Sequence, residues 1–330
     1  MFCYIENAST NPYFNLALEQ VIFDRLDRRR DYCMLWQNSS AVIVGRHQNT
    51  AAEINQAVVN DCGAAVVRRL SGGGAVYHDE GNINFTFITN AGAQNAIDFT
   101  PFCRHIQKAL RTFGVPAEIS GRNDITIDGK KISGNAQYLK QGRVMHHGTL
   151  LYDTGMDTLD SILFANGKIQ SKGIPSVRSR VTNIRPYMKI DMPADHFRAA
   201  LKEELITALS MDEYTLTTED TAAAEMLRDE VYSRWEWNYG SSPPYNARKS
   251  RRFEGCGTIE VLMEIANGGI IVNIAFFGDF FSSEDPSGLS AVLTGCHLER
   301  SELSSILQKI DISRYFHKIE AESLLSLLVN

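Results

Sequence analysis

The residues with the clearest chemical potential lie between Arg68 and Asp79, RRLSGGGAVYHD, where three consecutive glycines separate a pair of arginines from a short apolar run. Glycine lacks a Cβ, so the N–H groups of Gly72, Gly73 and Gly74 can turn inward at φ values other residues avoid and approach a phosphate or acyl-phosphate closely. Arg69 and Ser71 are expected to add a fixed cation and a hydroxyl at the rim. The alternative is a glycine-rich turn that holds no ligand. The segment is not a P-loop, because no Gly-Lys-Ser/Thr follows. Nor is it a dinucleotide fingerprint, because Tyr77 stands where the third glycine is needed.

A second group lies in GRNDITIDGKKISGNAQ, Gly121 to Gln137. A tight hairpin there would bring Asn123 and Asp124 beside Lys131. A carboxylate and an amide can hold Mg²⁺, which takes a few protein oxygens together with phosphate oxygens, while the lysine offsets charge on a reacting phosphate. Read alone, Asp124 and Lys131 are equally a surface ion pair worth about 0–1 kcal/mol. From Ser161 to Ile190 no acidic residue occurs, and Lys168, Lys172, Arg178, Arg180, Arg185 and Lys189 supply six cations. Such a run is either a solvated surface or a basic loop that orders over an anion, with Lys172 and Arg178 among its cations.

The elements that must position these groups are mixed. Asn11-Pro12 predicts a helix start, with Phe14, Leu18, Val21, Ile22 and Leu26 at helical spacing and one face on a core. Cys33–Trp36 and Ala41–Gly45 read as a hairpin across Gln37–Ser40, and Ile54–Cys62 as a helix before the strand Ala65–Arg68. A strand Ile83–Ile88 and a helix from Phe99 to Phe113 follow. The strands Ile125–Ile127, Lys131–Leu139 and Val144–Leu151 are joined by Asp128-Gly129 and Gln141-Gly142, both tight-turn signals. Helices are expected over Ala194–Leu209 and Glu219–Trp235. This order predicts an α+β fold, with mixed, mainly antiparallel sheets and helices on one side. Ser241-Ser242-Pro243-Pro244 reads as a linker, dividing a domain over 1–242 from a small α+β domain over 247–330. In the latter, Gly257–Ala266 and Gly269–Phe277 form a hairpin, helices run over Glu299–Lys309 and Lys318–Leu328, and no catalytic constellation is visible.

Composition fits a soluble globular protein of 330 residues, 44% apolar and 22% charged. No apolar run approaches a membrane span, and the amino terminus MFCYIENAST lacks the basic and then apolar pattern of a signal peptide. The expected setting is the cytoplasm. Six scattered cysteines, at 3, 33, 62, 103, 256 and 296, show neither a disulfide framework nor zinc spacing. A formal net charge of −6 speaks against general nucleic-acid binding.

RRLSGGGAVYHDEGN, GRNDITIDGKKISGNAQ, HHGTLL (His146 to Leu151), SKGIPSVRSRVTNI (Ser171 to Ile184) and WEWNYG (Trp235 to Gly240), in this order, resemble the lipoate-protein ligase A family. The carboxy-terminal part resembles the accessory domain of its long form. The resemblance implies a biotin/lipoate ligase-like catalytic domain that uses ATP and Mg²⁺ to convert lipoate to lipoyl-AMP. The acyl group then passes to a lysine on lipoyl domains of 2-oxoacid dehydrogenase E2 subunits or the glycine cleavage H protein.

Residue by residue, the resemblance makes Lys131 the contact of the lipoate carboxyl and the α-phosphate, and Arg69 an ATP-binding arginine. It places the backbone of Gly74, Ala75, Val76 and Tyr77 along the nucleotide and acyl group. Asn123 and Asp124 fall near metal and phosphates, Asn82 near the adenine, and Lys172 to Val181 in a loop over the adenylate. Asn135 receives no role. Asp124, His146 and His147 remain alternatives for the base that frees the acceptor amine, and a monomer is expected, with no nucleic-acid or membrane partner. The rivals are an ATP-independent acyl transferase of the same fold, a biotin-protein ligase and a non-catalytic lipoate-binding regulator.

Overall fold

The computed structural model describes residues 2–91, 97–121, 123–163, 180–240, 245–266 and 268–329. Lys172, Arg178 and the linker 241–244 lie outside the described residues. Among the described residues eleven strands precede residue 240: β1 (Phe2–Glu6), β2 (Asp31–Trp36), β3 (Ala41–Val44), β4 (Ala65–Arg68), β5 (Val76–His78), β6 (Asn82–Asn90), β7 (Glu118–Ser120), β8 (Asp124–Ile127), β9 (Lys130–Lys140), β10 (Arg143–Leu151) and β11 (Asp212–Tyr214). Eight form one sheet in the order β11-β1-β2-β6-β10-β9-β8-β7, and β4-β3-β5 form a second. In the large sheet β1 runs parallel to β2 and β11, while the pairs from β2 to β7 are antiparallel. The expected α+β class with mainly antiparallel pairing is what the chain adopts.

Two turns act as their residues dictate. Asp128-Gly129 (φ 50° and 75°) and Gln141-Gly142 (φ 49° and 70°) take left-handed conformations that close the β8–β9 and β9–β10 hairpins. The hairpin expected between Cys33–Trp36 and Ala41–Gly45 does not form. β2 pairs with β1 and β6, whereas β3 pairs with β4 and β5, so the chain changes sheets between them. Asn38, in that connection, is buried and takes a hydrogen bond from Asn15 at 2.8 Å, which anchors the crossing in the core. Within the span Ile54–Cys62 the expected helix forms over Gln56–Asp61, and a separate short helix, Thr50–Glu53, precedes it.

Helices cover both faces of the large sheet, not one. Along β2, Cys33 and Leu35 join the cluster under helices Thr100–Thr112 and Ala194–Leu209. Tyr32, Met34 and Trp36 join the cluster under helices Pro12–Arg25 and Thr218–Leu227. A strand apolar at consecutive positions requires two covers. Helix Pro12–Arg25 is capped as expected, Asn11 Oδ1 accepting from the N–H groups of Tyr13 and Phe14 at 3.0 and 3.1 Å. It is buried on more than one face, and the buried set includes Asn15 and Glu19.

Beyond residue 244, β12 (Ala247–Phe253), β13 (Gly257–Ile265) and β14 (Ile271–Gly278) form an antiparallel sheet. Helices Ser287–Leu293, Arg300–Leu307 and Ala321–Val329 complete a separate core. β12 and the first of these helices were not legible in the sequence. This unit is joined to the glycine-rich segment. Gly73 N–H donates to Phe280 O at 3.2 Å, His47 Nε2 lies 2.8 Å from Ser282 Oγ, and Phe281 is fully buried 5.1 Å from the Phe99 ring.

Candidate active site

The β8–β9 hairpin sets Lys131 opposite Thr126 and Asp124 opposite Gly134. Lys131 Nζ stands 2.8 Å from Asp124 Oδ1, a charge contact without hydrogen-bond alignment, and both side chains remain about one-third exposed. They lie at a junction. On one side is a cavity of about 260 Å³ walled by Leu16, Trp36, Ile43 and Val76, with Arg69, His78 and His147 among its polar residues. On the other is a cleft of about 950 Å³ that includes Tyr77, Arg180, Arg248 and Ser250. Gly74, Ala75, Val76, Asp124, Lys131, Thr149, Arg252 and Asp279 line both. A small chamber, with one apolar wall and charged and polar groups around the rest, therefore opens into a larger mixed cleft past a lysine and a carboxylate.

The glycine-rich segment departs from expectation. Among its three glycines only Gly73 (φ +93°) is left-handed, and a Cβ there would lie 3.0 Å from Arg69 Nη2. Its N–H is engaged by Phe280 O, so the segment is fitted against the carboxy-terminal unit as well as facing the cavity. Arg69 and Ser71 are buried beneath the loop instead of standing at its rim. Arg69 donates to Ser71 Oγ and to the carbonyls of Ile43, Gly72 and Gly74, at 2.8–3.1 Å. All four acceptors are neutral. Burial lowers its guanidinium pKa to about 10, opposed by Glu19 and assisted by Arg68, so the group stays charged at neutral pH. A buried cation with only neutral partners gives the cavity wall a positive potential that favours an anion.

His147 is buried between Ser71 Oγ, 2.6 Å from Nε2, and Glu19, whose carboxylate oxygens lie 3.1 and 3.2 Å from Nδ1. Glu19 also accepts from Thr86 Oγ1, which accepts from Trp36 Nε1. Asn123 Nδ2 donates to Asn135 O at 2.5 Å, and Asn135 Nδ2 returns a bond to Asn123 O at 3.0 Å. Asn135 Oδ1 meets His146 Nε2 at 3.0 Å, so Asn135 ties the β8 entry to β10. The structure thus brings Arg69, Gly73, Gly74, Ala75, Val76, Asn123, Asp124, Lys131 and His147 onto the inner wall. Tyr77 reaches the outer cleft, whereas Ser71 and Asn82 stand behind the wall, and Asn82 Nδ2 is spent on Asn84 Oδ1. The near end of the basic segment is anchored at Lys131, whose carbonyl accepts from Thr182 N–H at 2.9 Å.

The description "Lipoyl protein ligase A/B catalytic domain" matches residues 11–206, and "Bacterial lipoate protein ligase C-terminus" matches residues 242–328. The lipoate-protein ligase LplJ of Bacillus subtilis (strain 168) is 41% identical over 330 residues, covering 98% of this chain and 99% of that relative. The chain belongs to the lipoate-protein ligase family. The P. falciparum protein LipL1, solved in complex with lipoate, shares the fold over 100% of this chain and 99% of that one, at a TM-score of 0.83 and 22% identity. A lipoate-protein ligase A solved with ATP bound is 27% identical, with a TM-score of 0.60, over 72% of this chain and 98% of that one.

Several wall residues of this lipoate-protein ligase carry little local signal. Behind the wall, Glu19 is the more readable, a carboxylate inside the apolar run NLALEQVIF and therefore a candidate buried acid. Ser133, Asn135 and Gln137 alternate as buried polar residues along β9, a pattern that marks an inward polar stripe. Arg252 and Asp279 join the wall only because the carboxy-terminal unit docks there, and nothing near them in sequence announces it.

Proposed function

We propose that this protein is an ATP-dependent ligase that joins lipoate to a lysine of lipoyl domains on 2-oxoacid dehydrogenase E2 subunits and the glycine cleavage H protein. The observation that carries the reading is the junction: Lys131 and Asp124 stand where a small chamber with an apolar wall of Leu16, Trp36, Ile43 and Val76 meets a larger cleft. An acyl chain in the chamber would present its carboxylate to Lys131, and a nucleotide in the cleft would present its α-phosphate to the same ammonium. The lipoate-bound and ATP-bound structures of similar proteins support those two occupants.

The reaction then follows from charge. A carboxylate oxygen forms a bond to the α-phosphorus as the bond to the pyrophosphate oxygen breaks, giving lipoyl-AMP. The acceptor amine attacks the carbonyl, AMP leaves with the bonding pair, and the amine's proton goes to a base, for which Asp124 is placed. Lys131, with the field of buried Arg69, offsets the repulsion between two anions. Among the described residues no three potential metal ligands cluster, while Asp124 offers one carboxylate at the mouth. That donor set fits Mg²⁺, which takes one or two carboxylates alongside phosphate oxygens and would neutralise charge on the departing pyrophosphate.

The transferase reading needs a reactive thiolate, and no described lining residue of either space is a cysteine. Burial drives the Cys33 thiol pKa up, and that of Cys103 up to about 12. Both remain protonated thiols. Residues 1–242 serve in this account as the catalytic domain and 247–330 as an accessory domain. Use of ATP and cysteines that form no disulfide suit a cytoplasmic protein; among the described residues no helix is long and apolar enough to cross a membrane. The test is pyrophosphate release measured with lipoate and ATP together and with each omitted. Release that requires both is expected, and release independent of lipoate would overturn the reading.

A further inference from the structure

The inner chamber is not uniformly apolar at its buried end. Lys131 and Asp124 at the mouth are about one-third exposed, whereas Trp36 and His78 in the wall are 2% and 3% exposed. Trp36 and His78 meet edge-on, ring centroids 6.1 Å apart. A chain whose carboxylate is held at Lys131 shares the chamber with these rings.

A relay of buried amides decides which nitrogen of His78 carries the proton. Asn15 Nδ2 donates to Asn38 Oδ1 at 2.8 Å, which turns Asn38 Nδ2 toward His78 Nδ1 at 3.0 Å. Asn15 is itself fixed, because its Oδ1 accepts from Asn7 Nδ2 at 3.0 Å and its own Nδ2 also donates to Gln37 O at 2.9 Å. On the other side Asn84, its Oδ1 occupied by Asn82 Nδ2, directs its own Nδ2 at His78 Nδ1 from 3.5 Å. Two amide donors face Nδ1, so Nδ1 accepts and the hydrogen sits on Nε2. Burial, with repulsion from Arg69 and His147, lowers the ring's pKa to about 3 and keeps it neutral.

His146 offers an internal comparison. Its Nδ1 faces Gln137 Nε2 at 3.0 Å, which likewise puts the proton on Nε2, and there Asn135 Oδ1 receives it. His78 Nε2 is buried and has no hydrogen-bond partner among the described residues. Other polar groups of the same wall are engaged: Trp36 Nε1 with Thr86, and His147 with Ser71 and Glu19. Because Nε2 is buried as well as unpartnered, chamber water does not satisfy it, and a chain that brings an acceptor to it gains a hydrogen bond that a plain hydrocarbon chain does not.

We propose that His78 is a specificity-determining residue whose Nε2–H hydrogen-bonds a sulfur of the dithiolane ring, so that the chamber favours a sulfur-bearing acyl chain over a plain hydrocarbon chain of equal length. This rests on the reading that lipoate occupies the chamber. Sulfur is a weak acceptor, and the terminal methyl of octanoate is none. A site holding a buried donor rejects the ligand that leaves it unpaired.

The experiment compares pyrophosphate release from ATP with lipoate and with octanoate. In the wild-type protein kcat/KM is expected to favour lipoate, and His78→Leu to reduce that preference about three- to tenfold, chiefly through the KM for lipoate. His78→Gln, which retains an N–H donor, is expected to recover part of it. A preference unchanged in His78→Leu overturns the inference alone; release with neither acid in the wild type overturns the parent reading and the inference with it. A second measurement needs no variant. In protein labelled with ¹⁵N-histidine, the His78 Nε2–H resonance is expected to move more on adding lipoate than octanoate. Equal shifts, or a proton found on Nδ1, also overturn the inference.

Discussion

In the proposed reaction Lys131 and Asp124 carry the chemistry and little of the stability. Both are about one-third exposed, and an exposed pair of this kind contributes about 0–1 kcal/mol. Lys131→Ala is therefore expected to lower pyrophosphate release by about a hundredfold or more while leaving the thermal midpoint within a few degrees. Release within about threefold of wild type would contradict its role. This pair was legible because its geometry is local: Asp128-Gly129 specifies a hairpin, and the hairpin specifies who stands beside whom. Arg69 was legible by type and misplaced by environment. Its four hydrogen bonds run to neighbouring carbonyls and Ser71, which draws the guanidinium under the loop. Glu19 reaches His147 across 128 positions of chain, and no local pattern reports such a contact.

At the scale of elements, the glycine-rich segment is shared between the site and the carboxy-terminal unit. Gly73 N–H is held by Phe280 O, and the neighbouring Phe281 is fully buried among residues of the large domain's core. Phe281→Ala is expected to cost about 3–5 kcal/mol, read as a lower denaturant midpoint, because it empties a site packed by Phe99. A loss below about 1 kcal/mol would mean that the unit is not docked as described. Arg252, on β12, reaches the mouth beside Asp124 and Lys131. Arg252→Ala is expected to raise the KM for ATP about three- to tenfold in the pyrophosphate assay, a modest effect because the side chain is largely exposed. An unchanged KM would leave Arg252 outside nucleotide binding. The hairpins at β8–β9–β10 and β13–β14 could be read from turn residues. The separation of β2 from β3 could not, because a short polar connection permits either a turn or a change of sheet. The choice is made by Asn38, whose amide is buried against Asn15 and His78.

For the whole molecule, the histidines set the response to acid. Burial lowers the pKa of His47 and His78 to about 3 and that of His146 well below its ordinary value. In the unfolded chain each titrates near 6.5, so as pH falls below that value the unfolded state binds protons that the folded state does not. Their contribution is fully present above about pH 6.5 and is lost progressively toward pH 3, by up to about 1.4 kcal/mol per histidine per pH unit. The thermal midpoint is expected to fall between pH 7.5 and 5.5; a flat or rising midpoint would contradict the neutral, buried state of these rings. The docking that places Arg252 and Asp279 at the mouth is a property of the assembled fold, which no turn signal reports. In the proposed function this assembly couples ATP to acylation of a protein lysine. The most direct measurement is the intact mass of a purified apo lipoyl domain after incubation with this protein, lipoate and Mg²⁺, with and without ATP. The account predicts a gain of one lipoyl group only when ATP is present, and an unchanged mass with ATP, or the same gain without it, would contradict it.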